Sequence, residues 1–240
     1  MLDILFPVRC PFCDEIVAGS GRGGNGEKRT ADSLVCRDCL KALRFVEEPF
    51  CMKCGKPLEE TEREYCRDCM ERTHYFVQGR SLLVYDDPVR HSIYRFKYGG
   101  RREYAGAYAA LTVLMMQDFI RIISPDLLIP VPLHKKREAK RGYNQAGLYA
   151  RHLGRILDIP CADHLVKRIK NTRPQKQLDG YSRQNNLKKA FKIIGNDVKL
   201  KTILLIDDIY TTGSTIDALS QELLDAGAAG VYFITIAGGR

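Results

Sequence analysis

Eight of the nine cysteines fall before residue 70, and all eight come as CxxC pairs: Cys10 and Cys13, Cys36 and Cys39, Cys51 and Cys54, Cys66 and Cys69. Two intervening residues make a tight turn that brings both sulfurs to one Zn²⁺ at about 2.3 Å, and two such turns complete a tetrahedron. Eight thiolates therefore match two closed, structural zinc sites with no open coordination position. Arg37, Lys53, Gly55 and Arg67 lie around the pairs, as turns with amides aimed at sulfur require. A disulfide framework belongs to oxidising compartments, and these spacings are not those of iron–sulfur motifs. Sequential pairing groups Cys10, Cys13, Cys36 and Cys39, then Cys51, Cys54, Cys66 and Cys69. Interleaved pairing would join the first pair to the third and the second to the fourth. Local closure costs less loop entropy and favours the sequential scheme, but the spacing leaves both open. Cys161 stands alone and reads as a small buried hydrophobe. Gly19–Gly26, rich in glycine, reads as a flexible loop inside the first ribbon.

The cysteines stop near residues 74–78, which places a small ribbon domain at residues 1–76 and a second domain at residues 77–240. In the second, strand and helix signals alternate. Ser81–Tyr85 is strand-like, Tyr104–Ile123 helical and Leu127–Pro132 strand-like. Ala146, Tyr149, Ala150, Leu153, Ile156 and Leu157 recur at spacings of three and four, the buried face of a helix. Ile203–Ile209 is a buried strand, Ile216, Leu219, Leu223 and Leu224 mark a helix ended by Gly227, and Val231–Ile236 is a last strand. This alternation predicts an α/β domain with a mostly parallel central sheet. The longest nearly unbroken apolar stretch, residues 105–116, is too short for a membrane span, and the opening residues lack the form of a signal peptide, so the chain reads as soluble and cytoplasmic.

In such sheets ligands bind beyond the carboxyl ends of strands. The segment Ile203–Thr215 ends an apolar strand in Asp207 and Asp208 and continues through Thr211, Thr212, Gly213, Ser214 and Thr215 into a helix. Successive amides and hydroxyls at a helix start suit an anion, and the acids can accept hydrogen bonds from sugar hydroxyls. The combined reading is a ribose-5-phosphate site. The alternative, that the acids only cap a helix, leaves two adjacent carboxylates at a buried strand end without a reason. The GxxxxGK pattern of a nucleotide P-loop is missing.

Residues 203–215 resemble the phosphoribosyl-pyrophosphate (PRPP) motif of type I phosphoribosyltransferases. That resemblance implies that Asp207 and Asp208 hold the ribose hydroxyls, that residues 211–215 bind the 5′-phosphate, that Asp208 is the candidate for relaying a proton, and that Mg²⁺ accompanies PRPP. Pro130–His134 followed by Arg141-Gly142-Tyr143-Asn144-Gln145 is similar to the signature of the ComF competence family. The block running through Arg168, Thr172, Pro174, Gln175, Leu178, Arg183, Asn186 and Phe191 resembles that family's second conserved segment, and the cysteine pairs resemble its double zinc ribbon. Tyr143 stands where Phe is common in the family. The resemblance implies a role in natural transformation, with imported single-stranded DNA as a partner, a competence helicase as a further candidate partner, and a cytoplasmic location near the inner face of the membrane during DNA uptake.

The formal charge of +9 is confined to one stretch: residues 133–192 carry 16 Lys and Arg against four acids, while the remaining chain carries 22 against 25. An enzyme reading places His134, Lys135, Lys136, Arg137 and Arg141 on a pyrophosphate loop. There fixed cations would stabilise charge developing on the leaving group. Arg168, Arg173, Gln175 and Arg183 would lie on a hood that closes over the site. A binding reading lets the same cations track a nucleic-acid backbone, with Tyr143 and Tyr181 as candidate stacking rings and Tyr149 assigned to the helix core. His74, His91, His152 and His164 read as ordinary surface or packing residues. Three functions remain open at this stage: a PRPP-binding protein that handles single-stranded DNA, an active phosphoribosyltransferase of salvage, and a PRPP-sensing scaffold that recruits a helicase.

Overall fold

A computed structural model describes residues 7–17, 30–60, 62–170, 190–195 and 197–239. The Gly19–Gly26 loop and the hood candidates Arg173, Gln175, Tyr181 and Arg183 lie outside these residues.

Each ribbon begins with a CxxC turn closed by a left-handed residue. In the first, Asp14 (φ 66°) donates its N–H to the Cys10 carbonyl at 2.9 Å. In the second, Gly55 (φ 69°) donates to the Cys51 carbonyl at 2.8 Å. Each second pair opens a short helix, α1 (Arg37–Ala42) and α2 (Arg67–Glu71), with Cys36 and Cys66 at the N-cap positions.

The α/β body follows the order β1 (Gln78–Val84), α3 (Asp87–Tyr98), α4 (Tyr104–Ile123), β2 (Leu127–Pro130), α5 (Lys135–Arg141), α6 (Gln145–Leu157), β3 (Val166–Arg168), β4 (Phe191–Ile193), β5 (Thr202–Tyr210), α7 (Ser214–Asp225) and β6 (Gly230–Gly238). Four strands form a sheet ordered β1-β6-β5-β2 with every pairing parallel, as the alternation of strands and helices predicts. β3 and β4 form a separate antiparallel pair. The free side of β1 is not left open: Val46 donates to the Leu82 carbonyl at 3.1 Å and Val84 to the Arg44 carbonyl at 2.9 Å, so the chain between the ribbons covers it.

Strand parity builds two cores, one on each face of the sheet. Leu204 and Ile206 of β5 point to the face carrying α3, α4, α6 and the first ribbon, where Cys10, Phe12 and Val17 join Phe96, Tyr108 and Tyr149. Ile203 and Leu205 point to the other face, where α7, β3, β4 and the second ribbon meet, and Cys51, Cys54 and Phe76 join Phe233, Leu219 and Phe191. Each large apolar side chain so buried contributes about 1.5–3 kcal/mol. The helix over Tyr104–Ile123 matches the expectation from the sequence. The helix extends well beyond the apolar run of residues 105–116, and by length and composition alone it could cross a membrane. It serves the core here, with Tyr104, Tyr108 and Leu111 almost wholly buried and Thr112 bonded to the Tyr149 hydroxyl at 2.5 Å.

Candidate ribose-phosphate site and zinc centres

The two ribbons bring together the sulfurs of Cys10, Cys13, Cys36 and Cys39, and those of Cys51, Cys54, Cys66 and Cys69. Within each set all four ligand atoms lie within 4.8 Å of one another. This is the sequential pairing. Cys13 and Cys36 sulfurs are 3.8 Å apart, and those of Cys54 and Cys66 3.7 Å. A tetrahedron built on zinc–sulfur bonds of about 2.3 Å has edges of about 3.8 Å, so both sets fit Zn²⁺. Cys161 stays apart from both, half-buried against the first core, where burial pushes its thiol up to about 11. That is the chemistry of an inert packing cysteine.

At the carboxyl end of β5, parity separates the two acids. Asp207 continues the Ile203–Leu205 face and Asp208 the Leu204–Ile206 face. Asp208 receives Lys97 Nζ of α3 at 2.8 Å, both side chains being about one-sixth exposed. Asp207 Oδ1 accepts the Asp208 N–H at 2.8 Å. Burial first, and the neighbouring Asp208 carboxylate second, push the Asp207 carboxyl up to about 7. Burial and the neighbouring carboxylate thus both work against ionisation of Asp207, while Lys97 stands as the counter-charge of Asp208.

The chain then passes Tyr210, whose ring stacks on Phe233 with centroids 4.8 Å apart, and turns at Gly213 with φ 73°. A Cβ at Gly213 would lie 2.5 Å from the Tyr210 hydroxyl, so both the conformation and the space demand glycine. Ser214 is buried at the first position of α7, and its hydroxyl lies 3.0 Å from that of Thr212. The start of α7 is pinned from behind. Asp217 accepts the Tyr75 N–H at 3.1 Å and sits 2.7 Å from His74 Nδ1. His74 is therefore a buried positioning residue, stacked on Phe76 at 4.8 Å.

The expected pyrophosphate loop is helical. His134 caps α5, its Nδ1 accepting the Lys136 N–H at 3.3 Å, and Lys135 to Arg141 form nearly two turns. Lys135 and Lys136 are exposed and Arg137 half-buried. Arg141 is held by the Gln145 amide oxygen at 3.0 Å and the Tyr98 hydroxyl at 3.0 Å. The β3 residue Arg168 is bridged through its backbone to His134. Burial lowers the Arg168 pKa, with Arg137 acting the same way and Asp207 opposing it. A cavity of about 490 Å³ opens beside them, lined by Arg102, Lys135, Arg151, Lys167 and Arg168 among others.

Tyr143 requires a correction as a stacking candidate. It is 8% exposed, its hydroxyl donates to the Phe96 carbonyl, and the Arg102 guanidinium lies 4.8 Å over its ring. The ring is a core element. Tyr149 is fully buried, in line with its assignment to the core. Lys97 escaped sequence reasoning together with the whole of α3. The signal was present in Asp86-Asp87-Pro88: Asp86 caps the helix by accepting the Val89 N–H at 3.2 Å, and a proline stands in its first turn.

Comparison with known proteins agrees with this architecture. A double zinc ribbon domain matches residues 1–70 and a phosphoribosyl transferase domain matches residues 139–240. The chain is similar to Competence protein F of Haemophilus influenzae, 33% identical over 227 residues covering 92% of this chain and 93% of the relative. It is also similar to Competence protein ComFC of Bacillus subtilis, 33% identical over 82% of this chain and 81% of the relative. DNA utilization protein YhgH of Escherichia coli K12 is 30% identical over 82% and 87%. Such identity, spread across both ribbons and the α/β body, makes the chain a member of the ComF family of competence proteins.

Proposed function

We propose that this protein binds PRPP at the end of β5 and handles single-stranded DNA in the cytoplasm during DNA uptake. The observation that carries the PRPP reading is the pair Asp207 and Asp208 followed by the glycine-forced turn into α7. Two adjacent carboxyl groups at the strand end match the two hydroxyls of a ribose, and the turn with its buried Ser214 suits the 5′-phosphate. The pyrophosphate would face Arg137 and Arg168, with Mg²⁺ entering as part of the ligand and offsetting its charge. The DNA reading draws on the names of the relatives, competence and DNA utilization proteins, and on the basic stretch of residues 133–192.

The test is thermal unfolding with PRPP and Mg²⁺. The ligand should raise the melting temperature, and Asp207→Asn combined with Asp208→Asn should abolish the shift. An unshifted wild-type protein would refute the ribose-phosphate site. Pyrophosphate release on adding one of a panel of nucleobases would move the assignment to an active transferase, and binding without release would leave it with the DNA-handling role.

A further inference from the structure

Among the described residues, the two most exposed aromatic rings are neighbours. Tyr94 is 63% and Tyr98 56% exposed, and at positions i and i+4 of α3 their centroids lie 5.1 Å apart. Tyrosines left this open do not serve a core. Tyr98 is also held in place: the Arg141 guanidinium lies 4.9 Å over its ring and donates to its hydroxyl at 3.0 Å. Arg141 is the last residue of α5, a helix with five cations against the single acid Glu138. The surface therefore joins two open rings to a row of positive charge through one arginine.

We infer that Tyr94, Tyr98 and Arg141 form a stacking platform for the bases of a single-stranded nucleic acid whose phosphates follow α5. The inference rests on the proposed DNA-handling function and locates it. Open rings beside a cationic track are what sequence-tolerant binding of single strands requires, since every base has a π-face and every phosphate a charge. The surroundings argue against an apolar protein partner. α3 exposes no Leu, Ile, Val or Met, and the exposed Leu114, Met115 and Ile122 belong to α4. Lys97 of the same helix reaches Asp208, so α3 carries both the platform and a contact to the ribose-phosphate site. Burial removed the ring expected for this task, Tyr143, and α3 supplies two others.

The test is fluorescence anisotropy with a labelled oligothymidine at fixed salt, run beside an abasic strand of the same length. Tyr94→Ala and Tyr98→Ala should each weaken oligothymidine binding roughly tenfold, and Tyr94→Phe should not. The abasic strand should bind the wild type more weakly and be indifferent to both alanine substitutions. Zinc content and melting temperature confirm that the variants are folded. Photo-crosslinking of an iodouridine-containing strand should label Tyr94 or Tyr98. If the wild type binds the strand and both alanine variants bind it equally well, the platform is wrong while DNA handling stands. If the wild type binds no single strand at all, the DNA-handling reading falls and the platform with it.

Discussion

Replacing Gly213 by alanine tests the geometry on which the ribose-phosphate site depends. Two penalties can be separated. The left-handed backbone at φ 73° costs a residue bearing a Cβ about 1–2 kcal/mol. The new methyl would sit 2.5 Å from the Tyr210 hydroxyl and 3.0 Å from its Cζ, where ordinary contact begins near 3.4 Å. Tyr210 is 3% exposed, stacked on Phe233 and met edge-on by Phe76, so it cannot swing away without disturbing the second core. Overpacking of this kind costs about 1–3 kcal/mol. The total of about 2–5 kcal/mol should lower the melting temperature by roughly 5–15 °C in a chain of this size. The assay is calorimetry of the zinc-loaded protein with and without PRPP, and the ligand-induced shift should vanish because the turn has moved. Tyr210→Phe removes only the nearest atom. In the background of Gly213→Ala it should recover part of the packing penalty and none of the backbone penalty. A Gly213→Ala protein that melts with the wild type and still responds to PRPP would refute the reasoning.

Two further outcomes follow from the site and the ribbons. The folded protein keeps a proton on Asp207 up to about pH 7, whereas the unfolded chain releases it near pH 4. This group therefore costs stability progressively as pH rises across that interval. Asp207→Asn, which imitates the protonated acid, should melt closest to the wild type below about pH 4, and the gap in its favour should widen as pH rises to about 7 and level off above that; a gap independent of pH would contradict the raised pKa. Metal analysis should find two zincs per chain, and Cys51→Ser should lower the melting temperature more than Cys13→Ser. Cys51 is wholly buried in the core beside Phe76, while Cys13 is exposed, so equal losses would separate the second ribbon from the body.

How legible this protein was depended on where the signal lay. Local spacing and strand chemistry carried far: the CxxC pairs reached their sequential partners, the parallel sheet followed from the alternation of strand and helix signals, and the long helix over Tyr104–Ile123 stands where it was expected. What failed was anything decided by tertiary neighbours. Tyr143 has the composition of a stacking ring, but its fate was fixed by the Phe96 carbonyl and Arg102, both more than 40 residues away. Lys97 is an unremarked lysine in sequence and becomes the counter-charge of Asp208 only when α3 packs against the face to which position 208 points. The cations of residues 135–141 are visible as a basic run, but their helical form depends on the cap at His134 and on Gly142 at φ 79° closing the turn.

The last turn of α3 explains why ribbons and site cannot be treated as separable modules. A helix advances about 100° per residue, so four successive residues can make contacts in different directions. Arg95 donates to the Pro11 and Phe12 carbonyls of the first zinc turn at 2.9 and 2.8 Å. The Phe96 carbonyl receives Tyr143, which fixes the entry to α6. Lys97 pairs with Asp208, and Tyr98 holds Arg141. The first zinc turn adds a second anchor, for Asp14 accepts from Arg101 at 2.6 Å and from the Tyr104 hydroxyl at 2.5 Å. Cutting the chain at residue 76 would remove Phe12 and Val17 from one core and Cys51, Cys54 and Phe76 from the other. It would also leave the buried acceptors of Arg95 and Tyr104 missing. Losing several buried apolar side chains at about 1.5–3 kcal/mol each exceeds the 5–15 kcal/mol margin of an ordinary domain once the unmet polar groups are counted. The zinc ribbons are therefore walls of the α/β body, and a ligand bound at the proposed site would depend on ribbons and body together, with the metal in place.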